Sequence, residues 1–361
     1  MNQNEIQLIK SIFASYYEQA EFQIPGIEQR EFGIGNIKKI DARHLNFGSS
    51  SEFRKYLCNN TPLFVSHSTA YYEFPAATPI QKKHWRGADL VFDLDIHAEG
   101  KYGAYTKLDD IKMDLIRLVK EFLMNDFGIK KEDIAIVFSG NRGYHVHVRD
   151  PAFLPLGGDE RRELVDYIMG QGLNYLDFLP FDGKKLLGPE PAEGGYRGRF
   201  ARDTIKLVKE RPVLISKKFS DNKECEFFIS GIEEGNWSKT SFNLKELRDR
   251  LKIVADTLPI SSVNTDVGVT QDLSKLIRVP NSIHGETGLI ARTIDDIDKF
   301  EPLRDAFISA REVMKVHFTE EVPQLNMMDQ TIGPFRKDEE KELLRSVSMF
   351  FVLKGSASII F

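Results

Sequence analysis

The stretch Leu90-Val91-Phe92-Asp93-Leu94-Asp95-Ile96 sets two carboxylates into an apolar run. Alternate residues of a strand share a face, so Asp93 and Asp95 project together, their Cα atoms about 7 Å apart, while Phe92, Leu94 and Ile96 take the other side. The run reads as a central strand. Unpaired buried carboxylates are costly and like charges repel, so something positive belongs beside this pair. Lys or Arg there would make an inert ion-pair network, and divalent cations would make a reactive centre. Two further acids, Asp266 and Asp272, stand upstream of Pro280. Either one on the same face would complete a three-carboxylate site able to hold two divalent ions about 3.5 to 4 Å apart, the geometry of in-line phosphoryl or nucleotidyl transfer. An all-oxygen donor set suits Mg²⁺ or Mn²⁺.

Two turns carry the complementary charge. In "DIAIVFSGNRGYHVHV" two β-rich runs flank a tight Ser-Gly-Asn-Arg-Gly connection, which predicts a hairpin. Ser139, Arg142 and His145 cluster at that turn, between glycines that let backbone approach a ligand closely, and turn amides with a guanidinium suit a phosphate. Further on, Arg278 precedes Pro280 by two residues and His284 follows it by four, a second cationic and hydrogen-bonding pair near a fixed turn. Histidines in such a site contact phosphate rather than metal.

The elements that position these residues follow from periodicity. The amino terminus "MNQNEIQLIKSIFASYYEQ" reads as an amphipathic helix rather than a signal peptide. Leu63-Phe64-Val65 is a short strand. Apolar residues at Ile111, Leu115, Leu118, Val119, Phe122 and Leu123, acids at Asp109 and Asp110 and a glycine stop at Gly128 predict a helix over 108–127. The spacing therefore describes an α/β (α+β) protein, with a mixed β-sheet core packed on helices and a mainly helical insertion over 151–255. The main domain is expected to span 1–320, with 321–361 a carboxy-terminal extension whose apolar end, "SMFFVLKGSASIIF", reads as a core hairpin turning at Lys354-Gly355 or else as a strand offered to a partner.

Bulk properties narrow the class. A chain of 361 residues with 41% hydrophobic content buries a substantial core, and no apolar run approaches the roughly 18 to 20 residues of a membrane span. The chain is placed inside the cell. Two cysteines, Cys58 and Cys225, are too few for a disulfide scaffold or a cysteine-based zinc site. The net charge of −5 argues against nonspecific coating of nucleic acid. Locally, however, 196–218 carries eight Lys or Arg against Asp203 and Glu210; it reads either as a phosphate-tracking surface or as a solvated helix face.

In order and spacing, "LVFDLDI", "SGNRGYHVHV" and "LIRVPNSIHGETGL" resemble the three signature blocks of the archaeal and eukaryotic-type DNA primase small (catalytic) subunit, with "REFGIG" and Arg43 similar to that family's amino-terminal region. The resemblance runs over about 28–300. It implies a metal triad of Asp93, Asp95 and Asp266, with Asp272 the runner-up, and triphosphate contacts from Ser139, Arg142, His145, Arg278, His284 and Arg43. It also implies RNA primer synthesis from ribonucleoside triphosphates on single-stranded DNA, with a primase large subunit as partner. Many relatives carry a zinc knuckle, and none is expected here. The competing readings are a repair-type primase-polymerase of the same fold, a metal-dependent nuclease or phosphohydrolase, and a nucleic-acid scaffold whose acids are salt-bridged.

Overall fold

The computed structural model describes residues 1–36, 38–181, 185–258, 262–309 and 312–361. The amino-terminal helix Gln3–Gln19 forms as its pattern predicts, with Asn2 and Glu5 in a capping box. Eight short strands carry the core: β1 (Phe32–Gly35), β2 (Ala42–Leu45), β3 (Phe64–Ser68), β4 (Leu90–Asp95), β5 (Ile134–Phe138), β6 (Gly143–Val148), β7 (Leu276–Arg278) and β8 (Thr293–Ile294). Where one mixed sheet was expected, two antiparallel four-stranded sheets stand, in the orders β2-β1-β3-β7 and β8-β5-β6-β4. The α+β class holds, and so does the hairpin, β5 pairing β6 around the Ser-Gly-Asn-Arg-Gly turn.

Within β4 the alternation is as the sequence requires. Phe92 and Leu94 are fully buried, and Asp93 and Asp95 are only partly covered. Its position differs from the expectation. Strand β4 ends its sheet, pairing only β6 within the ladder, and its outer edge is closed by the segment entering the helix Val267–Gln271. The Thr265 hydroxyl and the Asp266 amide both donate to the Asp93 carbonyl at 3.0 Å, and the Thr270 hydroxyl donates to the Val91 carbonyl at 2.7 Å. An edge strand has unpaired backbone groups to satisfy, and side-chain hydroxyls do it here. The small cluster of Val91, Val269 and Ile277 seals that junction.

A buried ionic cluster fixes β4 against the first sheet. Arg30, just before β1, reaches the Asp89 carboxylate at 2.9 Å and the carbonyls of Ser68 and Thr69 at 2.7 and 3.1 Å, and its guanidinium lies 4.0 Å from the Tyr71 ring centre. Tyr71 donates to Asp89 at 2.7 Å, and Arg149 approaches at 3.3 Å. Arg161, also buried, donates to the carbonyls of Ala88 and Asp89. Burial alone would push the Asp89 carboxyl up, but His147, Arg30 and Arg149 outweigh it and hold the group well below the ordinary carboxylate range.

The chain forms two compact units, one of 1–116, 130–165 and 265–361, the other of 117–129 and 166–264. The helix predicted over 108–127 appears as the α-helix Leu108–Arg117 followed by the π-helix Leu118–Asp126. The second unit is helical around Trp237, whose ring stacks on Phe200 and whose indole N–H donates to the Pro189 carbonyl. In its helix Gly195–Glu210, Arg199 is buried and paired with Asp126 at 2.9 Å, so this cation of the basic segment serves the unit's own core.

At the carboxy terminus the expected hairpin is replaced by a helix, Arg345–Leu353, then a turn through Lys354 and Gly355 (φ +73°) and the strand Ala357–Ile359. A continuous apolar run is compatible with either a buried strand or a buried helix, and period alone does not separate them. Here 346–352 is buried all round. The strand pairs with Val313–Phe318, and the Ile359 amide donates to Glu5 of the first helix. Among the described residues no helix is long and apolar enough to cross a membrane.

Removing one member of a buried, compensated pair strands the other, so Asp89→Asn is expected to cost about 3 kcal/mol of stability at neutral pH. Because the folded-state carboxyl titrates below its unfolded value, its contribution is present above about pH 4 and is lost as pH falls below that. Urea midpoints of wild type and variant should therefore converge as the solution is acidified; a gap that stays constant would show that the ionised carboxylate is not the source.

Candidate active site

Asp93 and Asp95 open onto a cavity of about 430 Å³ together with Asp266, Ser139, Asn141, His145, Arg278, His284, Lys39 and Lys275. Antiparallel register explains the first contacts. Asp93 lies directly across from His145, and Asp95 from Gly143, so carboxylate and imidazole share a face, His145 Nε2 standing 3.6 Å from Asp93 Oδ1. The third acid arrives through the backbone bond described above: the amide of Asp266 is tied to the carbonyl of Asp93, while its Oδ1 caps the short helix by accepting from Gly268 at 2.8 Å. Asp272 lies elsewhere. Its Oδ1 accepts from the amide and hydroxyl of Ser274, and it does not line the cavity.

Three acids, Asp93, Asp95 and Asp266, share the cavity with three cations, Lys39, Lys275 and Arg278. Burial, and then the neighbouring Asp266 carboxylate, push the Asp93 carboxyl up to about 6. Asp95 is also raised, by burial, despite the guanidinium of Arg142 at 3.0 Å. Among the described residues no group of three or more His, Cys, Asp or Glu is drawn together closely enough to hold an ion as it stands. The donor set nevertheless fits hard divalent cations: three carboxylates on one cavity and no thiolate in its lining.

The opposing donors come from the two predicted turns. The first turn is held by Ser139, whose hydroxyl accepts from the amides of Asn141 and Gly143, and by Asn141, whose side chain accepts from Tyr105 at 2.7 Å. Its glycines are packed against protein: a Cβ on Gly143 would collide with the Leu94 carbonyl, and one on Gly140 (φ +78°) would press on His284. The Thr287 hydroxyl donates to the Gly140 carbonyl at 2.6 Å, locking the second turn onto the first. In that second turn the Glu286 amide donates to His284 Nδ1, which leaves the ring proton on Nε2.

Burial holds His145 down to about 3 and His284 well below the ordinary imidazole range, so both are neutral hydrogen-bonding groups at physiological pH. Arg278, set by β3–β7 register opposite Ser66, is pushed down to about 10 by burial and stays cationic. Its Nη1 and the Nδ1 of His145 are buried without a hydrogen-bond partner. Buried polar groups are normally satisfied, so such orphans on residues that line a cavity are notable.

Of the nucleotide contacts expected from sequence, Ser139, His145, Arg278 and His284 line the cavity; Arg142 and Arg43 do not. Arg142 is bound to Asp95, and Arg43 is bound to the buried Glu31 at 2.9 Å, which also takes His44 and Lys83. Lys39, Asn141 and Lys275 escaped the sequence reading. The only signal for them was an amide side chain inside one motif block and basic side chains close to the others.

A sequence-family model described as DNA primase small subunit matches residues 92–296. The DNA primase small subunit PriS of Methanococcoides burtonii is 33% identical, over 85% of this chain and 87% of that protein. PriS of Methanocella arvoryzae is 33% identical over 99% of each, and PriS of Archaeoglobus fulgidus 32% over 97% of each. Among solved structures, the polymerase domain of Mycobacterium tuberculosis ligase D in complex with DNA aligns over 80% of this chain and 83% of that one, at 14% identity and a TM-score of 0.35, a likeness too loose to add to the strand orders above. With the motif blocks on one cavity and the family matched over most of its length, this chain belongs to the DNA primase small subunit family.

Proposed function

We propose that this primase small subunit synthesises RNA primers on single-stranded DNA by nucleotidyl transfer in the carboxylate cavity. Asp93, Asp95 and Asp266 would hold the divalent cations, Mg²⁺ or Mn²⁺. Ser139, Arg142, His145, Arg278 and His284 would hold the triphosphate, and Arg43 would contribute only by leaving Glu31. When bound, such ions neutralise phosphate charge and lower the pKa of an attacking 3′-hydroxyl. The protein's own groups do the rest. Arg278 offers an unpartnered N–H and a fixed positive charge to the leaving pyrophosphate. His145 and His284 donate as neutral imidazoles, and the interlocked turns hold these donors in place before substrate arrives. A protein nucleophile is unnecessary. The reading extends to a primase large subunit as partner inside the cell, and to 151–255 as an insertion in the catalytic chain.

The observation that carries this reading is the bond from the Asp266 amide to the Asp93 carbonyl, which brings a third carboxylate to a face already holding two. Asp93→Asn and Asp266→Asn should abolish nucleotide incorporation and leave binding of single-stranded DNA nearly unchanged. Equal loss of both would make the acids structural. His284→Ala should raise the nucleotide concentration needed for half-maximal rate; an unchanged dependence removes that residue from the site.

A test without turnover uses stability. Because the folded Asp93 carboxyl titrates near 6, above its unfolded value, the site weakens the fold as pH rises from about 4 through 6. Asp93→Asn should therefore be more stable than wild type at neutral pH by about 2 kcal/mol, with no gain below about pH 4. Mn²⁺ should raise the melting temperature of wild type and not of the variant.

A further inference from the structure

The cavity holds a cation that neither the motif blocks nor the family likeness assigns. Lys39 lies on its lining, and its charge is felt by both Asp93 and His284. The residue is exposed and, among the described residues, forms no ion pair. The loop between β1 and β2 is shaped to deliver it. The chain doubles back at Gly35, where a Cβ would collide with the carbonyl of Lys38. Asp41 then ties the loop from inside, accepting from the amides of Asn36 at 2.6 Å and Lys38 at 3.1 Å while its own amide donates to the Ile34 carbonyl. With its carboxylate used in this way, Asp41 supports the loop's backbone and leaves the neighbouring ammonium to the cavity.

The electrostatic need is visible in the same place. A triphosphate brings several negative charges to a site that already has three carboxylates. Of the arginines the motifs offer, Arg43 is bound to Glu31 and Arg142 to Asp95. Arg278 alone among those three lines the cavity, together with Lys275, which follows Ser274 just before β7, and Lys39. A flexible ammonium on the rim is a suitable point charge for a phosphate chain whose position shifts as pyrophosphate departs.

We propose that Lys39 is a further nucleotide-binding residue, its ammonium contacting the phosphate chain of the incoming nucleoside triphosphate from the β1–β2 loop. The assignment rests on the nucleotidyl-transfer reading of this cavity. In steady-state incorporation on a single-stranded DNA template, Lys39→Ala should raise KM for the nucleotide about tenfold, the loss of one charge-assisted contact, with kcat little changed. Template affinity and melting temperature should be unaltered, and Lys39→Arg should restore most of the lost affinity. An unchanged KM overturns the proposal. So does a fall in template affinity with nucleotide KM intact, which would place the ammonium on the nucleic-acid strand. A changed divalent-ion requirement alone also overturns it, since the lysine would then only offset Asp93. Failure of the underlying reading shows separately, as incorporation that survives in Asp93→Asn.

Discussion

The free edge of one strand organises this molecule. Strand β4 exposes carbonyls on its outer side, and burying them without partners would cost more than the fold can spare. Thr265, Asp266 and Thr270 satisfy those groups, and in doing so they bring a distant segment alongside the acidic strand. The third carboxylate is therefore placed by the backbone's demand for hydrogen bonds, which ties Asp266 to the strand that carries Asp93 and Asp95. The next segment, β7, then presents Arg278 through its register with β3.

Two carboxylates four residues apart show how environment divides structural from chemical roles. Asp89 is surrounded by Arg30, Arg149, Tyr71 and His147, and its acidity is increased. Asp93 is only partly covered but faces another acid, and its acidity is reduced. A fully paired charge holds the sheets together; one set beside another acid is costly, and Lys275, Lys39 and Arg142 only partly offset that cost. Perturbation in opposite directions along one strand is the pattern expected where a scaffold end meets a working end.

The turns follow the same economy of contact. Gly140 and Gly143 are needed because the first turn packs tightly against β4 and against the second turn. Their small size lets Thr287 bridge the two, so the donors on both turns move as one body. Preorganisation of this kind is what electrostatic stabilisation of a leaving pyrophosphate requires.

Much of this was legible in the sequence, because period and local chemistry are properties of neighbours. The alternation in β4 put Asp93 and Asp95 on one face, the glycine-rich connection gave the β5–β6 hairpin, and three spaced blocks gave the family. What neighbours do not encode is which long-range partner each group meets. The sequence could not choose between Asp266 and Asp272 from the residues alone, put β4 at the centre of its sheet, and took an all-round buried helix at 345–353 for a hairpin, because an apolar run has no period to read. It offered Arg43 and Arg142 as triphosphate contacts, and in the folded chain Glu31 and Asp95 hold them in ion pairs. Local patterning determined what the residues are equipped to do; the pairing of backbone edges and buried charges in three dimensions decided which of them face the cavity.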